Sequence, residues 1–334
     1  MKLSSLGEFG LIDSIQKMAA RQSPSVLIGM GDDAAALKIA TASILLATTD
    51  MLLEDVHFDL SYTDYYSLGW KSAAANLSDI AAMGGIPRFC LTSLGIPSSI
   101  PVEQIKNFYR GFSAVLRSHH VLLVGGDTCS SKDKLVVNVV VLGESEKMYL
   151  VTRAGAEPED RIFVTGTLGD SAAGLELLRA RARHKRQGHW EKRLIQKHLR
   201  PEPRVGWGIQ IARSRCAHAM IDISDGLSSD LTHICEQSGV GAKVYTENLP
   251  CSHSLQDGRN ELHKTPMHYA LSGGEDYELL FTAPPRCRKK LKSLGLPLIE
   301  IGEITRTKKM VLVDGHGISR PLVPDGFVHF PRSK

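Results

Sequence analysis

YYSLGWKSAAANLSDIAAMGGIPRFCLTSLGI, residues 65–96, changes its hydrophobic period partway along. Up to Met83 the apolar residues Ala73, Leu77, Ile80 and Ala81 recur at helical spacing, while Ser72, Asn76 and Asp79 fall at i, i+4 and i+7 on a different face. The spacing predicts a helix that buries one side and turns a polar edge carrying a carboxylate the other way. The run 89–96 that follows is short and apolar, which predicts a strand. A helix leading into a strand points to an α/β unit with its own core.

The alternation extends outward on both sides. Strands are predicted at 26–29, 44–49, 121–124 and 135–143, with a second helix after Pro101 that carries Ile105, Phe108, Phe112, Val115 and Leu116. A break at 145–160, which includes the polar, proline-containing RAGAEPED (153–160), marks a domain boundary, giving domains 1–148 and 149–334. A second set follows: strands at 162–165, 219–223, 278–282 and 298–304, and helices near 170–182, 205–213 and 227–237. The chain has 334 residues, and two domains is the expectation at about 150 residues each.

Composition excludes several classes. Hydrophobic residues are 43% and charged residues 23%, so long-range disorder and fibrous repeats are poor explanations. Lysine plus arginine is 40 against 36 acids, a formal charge of +4, too small an excess to argue for nucleic acid. The basic runs at 179–193 and 286–292 read as solvated faces. No apolar run approaches the ~18 residues that span a bilayer, and Glu8 stands where a signal peptide needs its apolar stretch; the expectation is a cytoplasmic protein with no membrane partner. Six cysteines without a Cys-x-x-Cys pair predict reduced thiols rather than a disulfide framework or a zinc site.

GMGDDA, 29–34, fits G-x-G-x-x-A after a short apolar run, with Asp50 about 20 residues on, as in a dinucleotide site. Two adjacent carboxylates oppose that reading. Unit charges ~4 Å apart repel by about 4 kcal/mol at an effective dielectric of 20, so a phosphate approaches only with a cation between. Acids recur after apolar strands or on the polar helix edge: Asp32, Asp33, Asp50, Asp79, Asp127, Asp222 and Asp225. Singly each is a turn or cap former, but strand ends in α/β domains often converge on one crevice. All-oxygen ligands favour Mg²⁺ shared with substrate phosphates. Gly-Gly precedes an acid at 125–127 and 273–275, giving backbone that a ligand could approach closely. Neither a P-loop nor a protein-kinase catalytic loop is present in the sequence.

Taken together, GEFGLID (7–13), GDDAA (31–35), TTDMLLEDVHF (48–58), LGWKSAAANLSDIAAMGG (68–85), GGDT (125–128), VTGTLGDSAAGL (164–175), HLRP (198–201), DISDGLSSDL (222–231) and GGEDYELLF (273–281) resemble the thiamine-monophosphate kinase family. That family belongs to a superfamily with aminoimidazole ribonucleotide synthetase, selenophosphate synthetase and a hydrogenase maturation protein. The resemblance implies two α/β (α+β) domains, the N-terminal sheets of two chains pairing into a homodimer and the C-terminal domain completing an active-site cleft. It implies ATP-dependent phosphorylation of thiamine monophosphate to thiamine diphosphate by direct, Mg²⁺-assisted transfer, with no residue acting as acid, base or nucleophile. By motif it puts Asp33, Thr48, Thr49, Asp50, Asp79, Asp127, Asp222 and Asp225 on metal ions. Tyr109, Gly126, Arg153 and Ser224 would contact ATP, and His57, Glu275 and Phe327 the thiamine substrate. Cysteine placement separates the siblings: no Cys precedes Cys90, where a selenophosphate synthetase would carry one, and the chain ends HFPRSK rather than in a cysteine. The aminoimidazole enzyme, a nicotinamide-dependent oxidoreductase built on GMGDDA and a non-catalytic acidic metal-binding module stay as alternatives.

Overall fold

The computed structural model describes residues 17–18, 23–28, 36–37, 39–180 and 188–326. Asp32, Asp33, Phe327 and the 7–13 motif lie outside the described residues. The chain divides into two compact units, Met1–Ile80 with Gly85–Met148 and Ala81–Gly84 with Tyr149–Lys334.

In the first unit a two-stranded ladder, β1 (Val26–Ile28) with β2 (Ala36–Leu37), precedes a four-stranded sheet. Its strands are β3 (Ser43–Leu53), β4 (Ile86–Pro97), β5 (Leu122–Ser131) and β6 (Val136–Glu146), in the order β3-β6-β4-β5. β6 runs antiparallel to β3 and β4, and β5 parallel to β4. Alternation along β6 buries Val137, Val139 and Val141 completely. Leu77 and Ile80 of helix α1 (Tyr65–Ala82) and Phe108 and Phe112 of helix α2 (Val102–Ser118) are buried with them. The opposite face carries Leu45 and Met51, 49% and 55% exposed.

Three sequence expectations change here. The polar edge of α1, expected opposite the buried stripe, is itself enclosed: Ser72, Asn76 and Ser78 are fully buried, and only Asp79 reaches partial exposure. Ser72 Oγ donates to Leu68 O at 2.7 Å and Asn76 Nδ2 to Ser72 O at 3.3 Å, while the buried Asn76 Oδ1 has no hydrogen-bond partner among the described residues. β3 continues past residue 49, so Asp50 sits within a strand rather than at its end. β5, expected to end at residue 124, runs on through Gly125, Gly126 and Asp127. A Cβ at residue 126 would lie 2.0 Å from Thr92 O, and glycine is therefore what lets β5 lie against β4.

The second unit holds a seven-stranded sheet: β7 (Arg161–Thr165), β8 (Ala219–Asp222), β9 (Gly241–Tyr245), β10 (Leu279–Ala283), β11 (Leu298–Thr305), β12 (Met310–Val313) and β13 (Ser319–Pro321). The order is β13-β12-β9-β11-β7-β10-β8, and only β12 and β9 pair in parallel. Antiparallel neighbours alternate their ends, so strand ends do not all open on one crevice; β8 finishes at Asp222 beside the start of β10 at Leu279. The helices are α3 (Asp170–Ala180), α4 (His189–Leu199), α5 (Val205–Arg213), α6 (Leu227–Ser238), α7 (His253–Asp257), α8 (Pro266–Ser272) and α9 (Arg288–Lys292). The sequence pattern missed α4, because its basic residues mask an apolar stripe of Leu194, Ile195 and His198 that is buried. It also missed β9, α8 and the last two strands, each short enough for periodicity to be weak.

Candidate active site

In the first unit, strand alternation decides which threonines and acids meet. Thr48 and Asp50 lie on the α1 side of β3, and Thr48 Oγ1 donates to Asp79 Oδ2 at 2.5 Å. The Asp50 carboxyl is pushed up to about 6, first by loss of water and then by the Asp79 charge. Thr49 faces the other way, where it accepts from Asn138 Nδ2 at 3.2 Å. Register separates Asp127 from the pair as well. Asp50 lines up with Val139, Thr92 and Gly126 across the sheet, whereas Asp127 lines up with Ser93, Asn138 and Met51. The exposed Asp127 therefore sits on the opposite face, and three strand spacings from β3 amount to roughly 14 Å. Of the expected metal residues in this unit, the structure brings together Thr48, Asp50 and Asp79 and leaves out the side chains of Thr49 and Asp127. Among the described residues no three His, Cys, Asp or Glu side chains gather closely enough to hold a metal ion.

His57 follows β3. Its Nδ1 accepts the Leu53 N–H at 3.0 Å, so the neutral ring carries its proton on Nε2, where it can be donated to an anion. Tyr109 is placed differently from expectation: it is 2% exposed and packs edge-to-face on Phe108 with centroids 5.3 Å apart. Burial, with Cys90 beside it, raises its phenol far above the usual range. The reason is the α2 stripe, which turns Tyr109 inward with Phe108 and Phe112. Gly126, expected to approach ATP, spends its missing side chain on the β4 contact described above.

The second unit gathers its polar groups on two loops. One, residues 222–226, leads from β8 into α6; the other, 273–278, leads from α8 into β10. They run side by side, with the Glu275 N–H donating to Ser224 O at 2.7 Å and the Tyr277 N–H to Ile223 O at 2.9 Å. Glu275 and Tyr277 hold left-handed φ values of 64° and 52°, a conformation that costs a non-glycine residue roughly 1–3 kcal/mol and is kept only where surroundings enforce it. Gly226, at φ 121°, starts α6 where no other residue fits comfortably.

Hydrogen-bonded carboxyls hold these loops. Asp230 Oδ2 accepts the N–H groups of Gly226 at 3.0 Å and Asp225 at 3.3 Å. Burial and then the Asp225 charge push Asp230 up to about 7, an effect that the charge of Arg153 opposes. Asp276 accepts from the Gly169 and Ser171 N–H groups at 2.6 and 3.2 Å, at the start of α3, and loss of water raises it well above the carboxylate range. Glu278, 1% exposed, takes a bidentate pair from Arg204 at 2.8 and 2.5 Å and a Thr165 hydroxyl at 2.6 Å. Arg204 in turn stacks 4.2 Å over the Trp207 ring. Asp222 is buried at the end of β8, while Ser224, Asp225 and Glu275 keep partial exposure and Arg153 is exposed. Sequence reading singled out those five and missed Asp230, Asp276, His198 and the Arg204–Glu278 pair. The signals were present in DISDGLSSD, GGEDYE and HLRP, but nothing in a spacing tells a buried loop anchor from a surface acid.

Residues 31–145 match the model of the AIR synthase related protein, N-terminal domain, and residues 157–315 that of its C-terminal domain. The two-unit α+β architecture with acid-bearing loops thus has the character of an AIR synthase related protein. The thiamine-monophosphate kinase of Bacillus subtilis (strain 168) is 40% identical over 330 residues, 97% of this chain and 100% of that protein. Among solved structures, the thiamine-monophosphate kinase from Stenotrophomonas maltophilia K279a has a TM-score of 0.81 at 37% identity, over 92% of this chain and 96% of that one. AaThiL complexed with AMPPCP and TMP has a TM-score of 0.79 at 39% identity over 99% of both chains. The chain belongs to the thiamine-monophosphate kinase family, and the resemblance read from its motifs holds.

Proposed function

We propose that the protein transfers the terminal phosphoryl group of ATP to thiamine monophosphate, giving thiamine diphosphate and ADP. The observation that carries this is full-length likeness to AaThiL complexed with AMPPCP, an ATP analogue, and TMP. The nicotinamide reading of GMGDDA and the non-catalytic acidic module are set aside, because the likeness covers the whole chain and names an enzyme.

The chemistry needs little beyond placement. An acceptor phosphate oxygen is already anionic, so its attack on the γ-phosphorus, with ADP leaving, needs no general base; the demand is to bring two anions together and neutralise them. The donor set fits Mg²⁺: burial and then the neighbouring Asp79 charge lift Asp50 to about 6, and every group offered is oxygen. Thr48, Asp50 and Asp79 would hold the ion in the first unit, the GDDAA motif assigns Asp33 to the same role, and Asp222 and Asp225 are the corresponding oxygens of the second. When bound, the cation supplies charge neutralisation between phosphates. Arg153 and Ser224 serve the nucleotide. His57 offers its Nε2 proton to the substrate phosphate, and Glu275 offers negative charge to the thiazolium ring. Purified protein with Mg-ATP and thiamine monophosphate should form thiamine diphosphate, EDTA should stop it and Mg²⁺ restore it; full turnover in metal-free buffer would sink the metal assignment.

The same reading includes a homodimer in the cytoplasm. The open face of the four-stranded sheet, with Leu45 and Met51 exposed beside the partly covered Leu91, Val140 and Leu142, supports pairing with a second copy. Met51→Lys should shift sedimentation toward monomer; a monomeric wild type would end this part of the proposal. Among the described residues no helix is long and apolar enough to cross a membrane.

A further inference from the structure

HLRP, 198–201, has no part in the assignments above, yet its histidine stands against Glu275. His198 ends α4 and is 3% exposed. Its Nδ1 lies 3.1 Å from Ser171 Oγ and 3.4 Å from Glu275 Oε2. Ser171 is itself 1% exposed, and its N–H donates to Asp276 Oδ1 at 3.2 Å. Residues 275 and 276 are thus tied, one through each side chain, to the first turn of α3 and the last turn of α4.

The two ties do different things. Asp276 is half-buried and accepts from two backbone N–H groups, so it secures the loop. The Glu275 side chain is 27% exposed, hangs from a left-handed backbone and has three rotatable bonds whose freedom is lost on binding a ligand. A fixed, buried imidazole beside the carboxylate removes part of that freedom before a ligand arrives.

We propose that His198 is a positioning residue that holds the Glu275 carboxylate ready for the cationic ring of the substrate. This rests on the reading of Glu275 as the group facing thiazolium. The effect belongs in the affinity for thiamine monophosphate, since neither residue is among those assigned to ATP or metal.

The experiment is a double-mutant cycle, with KM for each substrate, kcat and thermal midpoint measured for His198→Leu, His198→Asn, Glu275→Gln and His198→Leu/Glu275→Gln. His198→Leu should raise KM for thiamine monophosphate about ten-fold while KM for ATP and kcat stay within about two-fold. Asparagine, whose amide can stand where Nδ1 stood, should recover most of the loss, and the double variant should be no worse than Glu275→Gln alone, as coupled neighbours require. Should the leucine variant fail to fold, His198→Gln, which keeps volume but moves the polar atom away from Nδ1, takes its place in the cycle. Additive losses, or equal changes in both KM values with a lowered midpoint, would make His198 a tie between helices and overturn the proposal. Glu275→Gln with unchanged KM for thiamine monophosphate would overturn the reading of Glu275 and the proposal with it, whereas a raised KM there without any effect at His198 would overturn the proposal alone.

Discussion

The Thr48–Asp50–Asp79 group and the Asp225–Glu275 loops hold their acids by opposite means. In the first unit the carboxylates ride on regular structure, one on a strand and one on a helix whose packing is fixed by buried valines and phenylalanines. The scaffold takes Asp50 out of water beside the Asp79 charge, and both effects, burial first, show as the raised Asp50. In the second unit the partly exposed acids sit on loops with left-handed residues, and a second set of groups, the buried Asp230 and Glu278 with the half-buried Asp276, holds those loops in place. The contrast teaches that an acid on a strand is lost as a charge when substituted, whereas a loop anchor is lost as a geometry.

The largest effect should come from the anchor with the most enclosed charges. Arg204→Ala leaves Glu278 buried without its bidentate partner, and removing one member of such a pair costs about 3–5 kcal/mol. Urea unfolding monitored by fluorescence should show that loss; a drop under about 1 kcal/mol would mean that the loops of the second unit stand without their anchor.

Next comes the first unit, where charge rather than shape is at stake. Asp79→Asn keeps volume and hydrogen bonding, so the unfolding midpoint should hold while kcat falls at least ~100-fold, equivalent to about 2.7 kcal/mol of transition-state stabilisation. Activity within a few-fold of wild type would erase the distinction between the two regions.

Asp230 sharpens the comparison through pH. Its folded value is raised to about 7 from an ordinary 3.8, so between those values the native state keeps a proton that the unfolded chain has lost. Stability from this group is therefore complete below about pH 4, declines as pH rises and levels off above about 7. Asp230→Asn still accepts the two loop N–H groups but does not titrate. In EDTA buffer its urea midpoint should fall less between pH 5 and 8 than that of wild type, by the equivalent of roughly 1–3 kcal/mol. Parallel curves would show that burial does not hold this proton.

The smallest effect tests strand alternation. Thr48→Val removes the hydroxyl that binds Asp79 and should lower kcat about ten-fold, the low end for a hydrogen bond to a charged group. Thr49→Val, on the other face, should cost less. A reversed order would put the wrong face of β3 toward the chemistry.

Long periodic segments were legible before any coordinates, because a helix such as 102–118 repeats its apolar stripe often enough to outweigh accident. The motif order also carried the family. What misled was local reading of ambiguous units: Gly125–Gly126 suits a turn by composition, yet here it is strand, since only the neighbouring Thr92 carbonyl makes the missing side chain necessary. Ser72 and Asn76 suit an open polar edge, yet both are buried, with the Ser72 hydroxyl and an Asn76 N–H bonded back to the helix.

By itself, then, the sequence determined the two-part α/β plan, the family and the roster of acids, all properties written in order and spacing along one chain. Tertiary structure decided which of those acids meet. Thr49 leaves Thr48 because side chains alternate across a strand, Asp127 leaves Asp50 because register puts it on the other face, and His198 reaches Glu275 across 77 positions because α4 packs against the loop. Such meetings depend on register and packing between distant segments, quantities that no local pattern encodes.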